Sequence, residues 1–299
     1  MRKRYLLTLV LSGIAFATAI TAPEDSLGLD MEFTVYKGLV YSSVTEKLTM
    51  DLFIPQGATK AVPCVIVIQG GGFRRQDGQR FVPFAEHLAR NGFAAALIAY
   101  RGRPDHTYQN TISDIKAAVR FVRKISGDYN ISPDRIGAMG RSAGATLAAL
   151  LAVTGDVEEF EGDGGHEKFS SRIQAAVGIS GVYDFLARYS SKEQRSLQYK
   201  LDEKKMSNGE WIGAPFSSDS EHWHRASAIN HIDPKDPPML LIHSKNDRTV
   251  PWLQSQDMHK TMIEACISSD IVISEDGGHG GPANAKELMV TFFRKVLVE

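Results

Sequence analysis

Several things are scarce in this sequence. Its 299 residues include only two cysteines, Cys64 and Cys266, too few for a disulfide-stapled scaffold or for a zinc site built on cysteines. Neither sign of charge dominates. The 34 basic and 35 acidic side chains leave a formal net charge of -1, so no basic excess exists to neutralise phosphates, and nucleic acid is not expected as a partner. Internal repeats, low-complexity tracts and Pro/Gly-rich linkers are also absent, which favours one domain over two. What the chain does have is 43% hydrophobic and 23% charged residues, the balance of a packed globular protein.

No apolar run reaches the ~20 residues of a membrane span. The longest candidate, Leu6 to Ile20, is interrupted by Thr8, Ser12, Gly13 and Thr18 and is preceded by Arg2, Lys3 and Arg4. A basic start, a short apolar stretch and small residues around Ala17 to Ala22 mark a secretory signal peptide. The expectation is therefore a leader over residues 1–22, a secreted or periplasmic protein, and no stable membrane insertion after cleavage. Removing the three basic residues would take the formal charge from -1 to -4. No cysteine stands at the cleavage region, which argues against a lipoprotein.

Residues 23–299 read as a single unit. Met31 to Tyr41 and Leu48 to Ile54 are strand-like, and the continuous apolar runs Val62 to Ile68 and Phe93 to Ile98 suit strands covered on both faces. Further strands are expected at Arg135 to Met139, Ala175 to Ile179, Met239 to His243 and Ile271 to Ser274. Helices are expected over Phe81 to Arg90, Thr111 to Ser126, from near Ala143, over Gln254 to Ile267, and at the end of the chain. In the Thr111 helix, Ile112, Ile115, Ala118, Val119 and Val122 form one apolar stripe. Strands alternating with helices imply an α/β fold with a mostly parallel sheet. The stretch from Tyr183 to Asp236 reads as irregular around Trp211 and Trp223, either a surface excursion or a partial lid.

Three segments carry chemistry. Gly140-Arg141-Ser142-Ala143-Gly144 fits a strand-to-helix nucleophile elbow, in which a tight turn pushes the serine hydroxyl outward and aims the Ala143 amide at a developing oxyanion. Gln69-Gly70-Gly71-Gly72-Phe73 follows the Val62 strand. It matches neither phosphate-loop pattern, and Gly71 and Gly72 are the expected further oxyanion donors. His279, in Gly277-Gly278-His279-Gly280-Gly281, suits the base, and Asp247, in a loop after the Met239 strand, suits its orienting acid. His243 ends an apolar strand and reads as a satisfied core histidine. The order Ser142, Asp247, His279 differs from that of chymotrypsin-like and subtilisin-like proteases and is that of α/β-hydrolases.

From about Tyr36 onward the chain resembles α/β-hydrolases of the esterase/lipase type, near the acetylxylan and bacterial feruloyl esterase-like (BD-FAE-like) carbohydrate esterases. Besides the three motifs, Tyr100-Arg101, Ser132 to Ile136, Ala226-Ser227 and Pro237-Pro238 carry the resemblance. It implies an α/β-hydrolase fold with helices on both sheet faces and a small partial lid, no cofactor and no metal, and an Arg101–Asp114 pair bracing the elbow. The chain departs from the pattern at Gln69, where histidine is usual, and at Ala145, where a further glycine is common.

The expected activity is hydrolysis of carboxylic esters, with a small ester or an acylated polysaccharide as substrate. Phe73, Arg141 and Trp252 adjoin the motifs and are candidate substrate contacts, although Phe73 and Trp252 read equally well as core. Cys64 falls in a strand and Cys266 on a helix; two buried free thiols are expected, with a bridge left open by export. Feruloyl esterase and short-chain lipase remain open, as do an exported peptidase or amidase and a non-catalytic binding protein on the same fold.

Overall fold

The computed structural model describes residues 30–75, 78–155, 157–218 and 220–299. The expected leader lies outside the described residues. Among the described residues, eight strands form one sheet: β1 (Phe33–Ser42), β2 (Leu48–Pro55), β3 (Val62–Ile68), β4 (Ala94–Ile98), β5 (Ile131–Arg141), β6 (Ala175–Ile179), β7 (Met239–Ser244) and β8 (Ser269–Ser274). Their order is β1-β2-β4-β3-β5-β6-β7-β8. β2 pairs antiparallel with β1 and β4, and every other pairing is parallel. This is the α/β-hydrolase fold.

The runs without polar interruption, β3, β4 and β6, are buried along their whole length because helices cover both faces. Helix α1 (Val82–Arg90) and the last helix, α9 (Ala285–Leu297), pack on one face through Phe84, Leu88, Leu288, Met289 and Phe293. On the other face lie α2 (Tyr108–Lys124), α3 (Ala143–Val153) and α8 (Leu253–Glu264), through Ile112, Ile115, Val119, Leu147, Leu150, Met258 and Met262. Burying each such Leu, Ile, Met or Phe is worth about 1.5–3 kcal/mol. The predicted stripe of α2 is entirely buried. All eleven residues of α3 are buried, which its Ala/Leu composition permits.

The parallel registers bring the strand ends into line. Ile68 sits beside Gly140, Arg141 beside Ile179, Ile179 beside Ile242, and Ser244 beside Ser274. The loops leaving these strands therefore meet at one edge, the usual place for a site in such sheets.

Two expectations are corrected. The Tyr183 to Asp236 stretch is not irregular: it folds as α4 (Phe185–Ser190), α5 (Lys192–Ser196), α6 (Leu201–Ile212) and α7 (Glu221–Arg225), followed by a 3₁₀ turn, with Trp211 and Trp223 fully buried in it. Cys266 is neither helical nor buried. It stands past the end of α8 with φ near 60° and is exposed, while Cys64 is buried in β3.

Candidate active site

At the end of β5 the backbone turns sharply at Ser142, with φ 57° and ψ -126°, a conformation that non-glycine residues rarely hold. The turn is closed by Ser142 N–H donating to Ile179 O at 2.8 Å. A Cβ on Gly140 would run into the Gly144 carbonyl, and one on Gly144 into the Ile68 carbonyl. The small residues flanking the serine are thus required by the close passage of β3, β5 and α3. Ser142 is left at the helix N-terminus with its side chain directed outward.

His279 reaches this serine from the loop after β8. Its Nε2 lies 2.8 Å from Ser142 Oγ, and its Nδ1 lies 2.8 Å from Asp247 Oδ2. A carboxylate only accepts, so Nδ1 carries the proton and Nε2 is free to accept from the Ser142 hydroxyl. The histidine loop is held by its neighbours. Gly278 N–H donates to Asn246 Oδ1 at 2.7 Å, and Ser244 Oγ donates to Asp276 O at 3.0 Å. The loops after β7 and β8 are thereby tied together on either side of the pair.

Asp247 is fully buried and receives four hydrogen bonds. Oδ1 accepts from Thr249 N at 2.7 Å and Val250 N at 3.1 Å. Oδ2 accepts from His279 and from His243 Nε2, the latter at 3.1 Å. Burial pushes the carboxyl upward, but the hydrogen bonds from His243 and His279 hold it well below the usual carboxylate range. His243 is a core histidine, as its strand position suggests, and it also touches the acid. Its Nε2 faces both Asp247 and Val250 O, two acceptors, so that nitrogen carries the proton and Ser255 Oγ donates to Nδ1 at 2.8 Å.

The glycine loop runs directly against the elbow, with Gly70 packed on Arg141 O and the Ser142 Cβ. Gly71 and Gly72 both have positive φ, 109° and 63°. Tyr100 Oη donates to Gln69 O at 2.9 Å, and Arg103 Nε donates to Gly72 O at 2.7 Å. Arg101 and Asp114 form the expected buried pair, at 2.6 Å.

A cavity of about 240 Å³ opens over Ser142. Gly72, Phe73, Ala143, Val182 and Val250 line it together with Arg188, Lys200, Lys204, Ser207 and Asn208 from the α4–α6 segment. Phe73 borders the cavity and is also core: it is 2% exposed and stacks on Trp211 with centroids 3.8 Å apart. The other two candidate contacts lie elsewhere. Arg141 places its guanidinium over the Phe81 ring on the α1 face, 5.6 Å from the centroid. Trp252 caps α8. Neither is among the residues that line the cavity. Gly71 is adjacent but is likewise not part of the lining. A larger cavity of about 630 Å³ on the outer side of α6, bordered by Lys205, Met206, Glu210 and Phe216, holds none of Ser142, Asp247 and His279.

Sequence reasoning missed Arg188, Lys204 and the His243 contact. Only His243 left a signal, its spacing of four residues from Asp247 across a strand end. Among the described residues, no cluster of three or more His, Cys, Asp or Glu is arranged to hold a metal ion, and no helix is long and apolar enough to cross a membrane.

The sequence model of one protein family, BD-FAE, matches residues 50–262. The chain is 32% identical over 200 residues to a probable carboxylic ester hydrolase, LipM, of Mycobacterium tuberculosis, an alignment covering 66% of this chain and 44% of that protein. The chain spans about half the length of the curated relatives it matches. Among solved structures, an acetyl ester-xyloside bifunctional hydrolase from Caldicellulosiruptor lactoaceticus superposes with a TM-score of 0.70 at 26% identity, covering 84% of this chain and 89% of that one. A truncated carbohydrate esterase from gut microbiota superposes with a TM-score of 0.77 at 24% identity, over 89% and 97% of the two chains, a likeness of fold.

Proposed function

The chain belongs to the BD-FAE family, and on that premise we propose that it is an exported serine carboxylic-ester hydrolase, a single catalytic unit following the leader at residues 1–22. One observation carries the reading: His279 bridges Ser142 Oγ and the buried Asp247 carboxylate at 2.8 Å on each side. Ester hydrolases among the relatives and solved structures support the same class.

In this mechanism Ser142 Oγ attacks the ester carbonyl carbon while His279 Nε2 takes the hydroxyl proton, and Asp247 holds the imidazolium so formed. The amides of Ala143, Gly71 and Gly72 stabilise the oxyanion, each at about 3 kcal/mol in comparable hydrolases. His279 then gives its proton to the departing alcohol oxygen as the C–O bond breaks. Water, deprotonated by His279, attacks the acyl-serine, and collapse releases the acid and restores the Ser142 hydroxyl.

A cavity of about 240 Å³ lies below the ~300–1,000 Å³ of pockets for drug-sized ligands. That favours a small acyl group such as acetyl, with a plant polysaccharide or another short-chain ester as the source. The test is hydrolysis of p-nitrophenyl acetate by the wild type and by Ser142→Ala. The expected loss is about 10⁵-fold or more in kcat. No hydrolysis by the wild type, or equal hydrolysis by the variant, would sink the reading.

A further inference from the structure

The cavity wall carries an imbalance of charge. Arg103, Arg188, Lys200 and Lys204 border it, against the single acidic residue Glu203. Two of these cations are compensated: Arg103 bonds Glu210, and Lys200 bonds Glu203 at an exposed site. The other two have no carboxylate hydrogen-bonded to them among the described residues. Lys204 Nζ donates only to the backbone oxygens of Arg248 and Thr249, at 3.2 and 3.0 Å.

Arg188 is the more informative of the pair because it is only 4% exposed. Its Nε donates to Gln198 Oε1 at 3.0 Å and its Nη2 to Thr249 O at 2.9 Å, and the guanidinium lies 5.3 Å from the centre of the Tyr189 ring. These neutral acceptors satisfy part of its hydrogen bonding and none of its charge. Asp247 acts on it through space but is committed to His279, His243 and two backbone amides. A buried charge without a bonded counter-ion is costly, and this one borders the cavity that contains Ser142. Burial lowers the pKa of Arg188. Burial and the nearby Arg188 lower Lys204 to about 8. Both directions are those of cations that an incoming anion would stabilise.

We propose that this cavity selects esters bearing a carboxylate near the scissile bond, with Arg188 and Lys204 binding that carboxylate. The proposal rests on the esterase reading of Ser142 given above. The carboxylate would belong either to the acyl half, as in a half-ester of a dicarboxylic acid, or to the alcohol half, as in an acetylated uronic acid. Arg is suited to such a group because its planar fork can make two parallel hydrogen bonds to it.

Two matched substrate pairs distinguish the sources. The first compares p-nitrophenyl hemisuccinate with p-nitrophenyl butyrate, and the second compares acetylated methyl glucuronoside with acetylated methyl glucoside. In at least one pair, kcat/KM should favour the anionic member about tenfold, the effect of roughly one charge-assisted hydrogen bond. Arg188→Gln and Lys204→Met should each bring that ratio toward one. Lys204 is half-exposed, so its variant keeps the test valid if Arg188→Gln fails to fold. Neutral members hydrolysed as fast as the anionic ones in both pairs would overturn the proposal and leave the esterase reading standing. So would ratios that the variants leave unchanged, the result of a merely structural Arg188. Absence of hydrolysis of all four esters would overturn the esterase reading itself.

Discussion

Ser142 follows directly on β5, Asp247 and His279 stand in the loops after β7 and β8, and each is held by hydrogen bonds to its own loop or to a neighbouring strand or loop. Arg188, Lys204 and Asn208 reach the same cavity from short helices inserted between β6 and β7. The first group is placed by the register of a buried sheet, in which a shift of one residue would turn every side chain to the other face. The second is placed by side-chain packing and hydrogen bonds. Phe73 stacks on Trp211, Trp211 Nε1 donates to Thr111 Oγ1 at 3.0 Å, and Gln254 Oε1 accepts from Tyr183 N and Asp184 N at 2.7 and 2.8 Å. Under the proposed function, the chemistry sits at the strand ends of the sheet, and the groups proposed to meet the rest of the substrate sit on the helical insertion.

The sharpest way to break the catalytic side of this contrast is Asp247→Asn. The substitution keeps the shape but removes the charge that fixes the His279 tautomer. kcat on p-nitrophenyl acetate should fall about 10⁴-fold, the size of effect seen for the equivalent change in serine proteases. A loss of tenfold or less would mean that Asp247 does not orient the base.

Trp211→Ala attacks the junction between the two regions. The ring is fully buried against Phe73 and Phe185, so its removal should cost about 3–5 kcal/mol of stability, read as a lower urea midpoint. An unchanged midpoint would show that the inserted helices do not depend on the sheet for their position.

His243→Leu sharpens the comparison on the sheet side. It removes one of the four donors to Asp247 and leaves the others. A hydrogen bond to a charged group is worth ~1.5–3 kcal/mol, so kcat should drop by about tenfold or somewhat more, with KM little changed. If kcat stays at the wild-type value, His243 contributes only to the core.

Much of the sheet side was legible in the sequence. The buried strands appear as apolar runs bounded by turn residues, and each of the three candidate catalytic residues stands among glycines or polar loop residues just after such a run. The helical insertion was not legible, for physical reasons. α4, α5 and α7 have six, five and five residues, shorter than any window in which a 3.6-residue period can register. α6 borders a cavity on each side, so polar residues fall all around it. Arg188 looks like any surface arginine until Gln198 and Thr249 are seen to enclose it, and neither contact is local in a way that spacing reveals. Arg141 stands next to the serine along the chain, yet its guanidinium lies over the Phe81 ring, because nearness to a motif in sequence does not tell which face of the sheet a side chain takes.

The central claim is that Ser142 is the nucleophile. It is tested most directly by treating the folded protein with a fluorophosphonate and locating the adduct by peptide mass spectrometry. The account predicts one adduct, on the peptide that contains Ser142, absent from Ser142→Ala. An adduct on a different serine, or labelling of the Ser142→Ala protein to the wild-type extent, would contradict it.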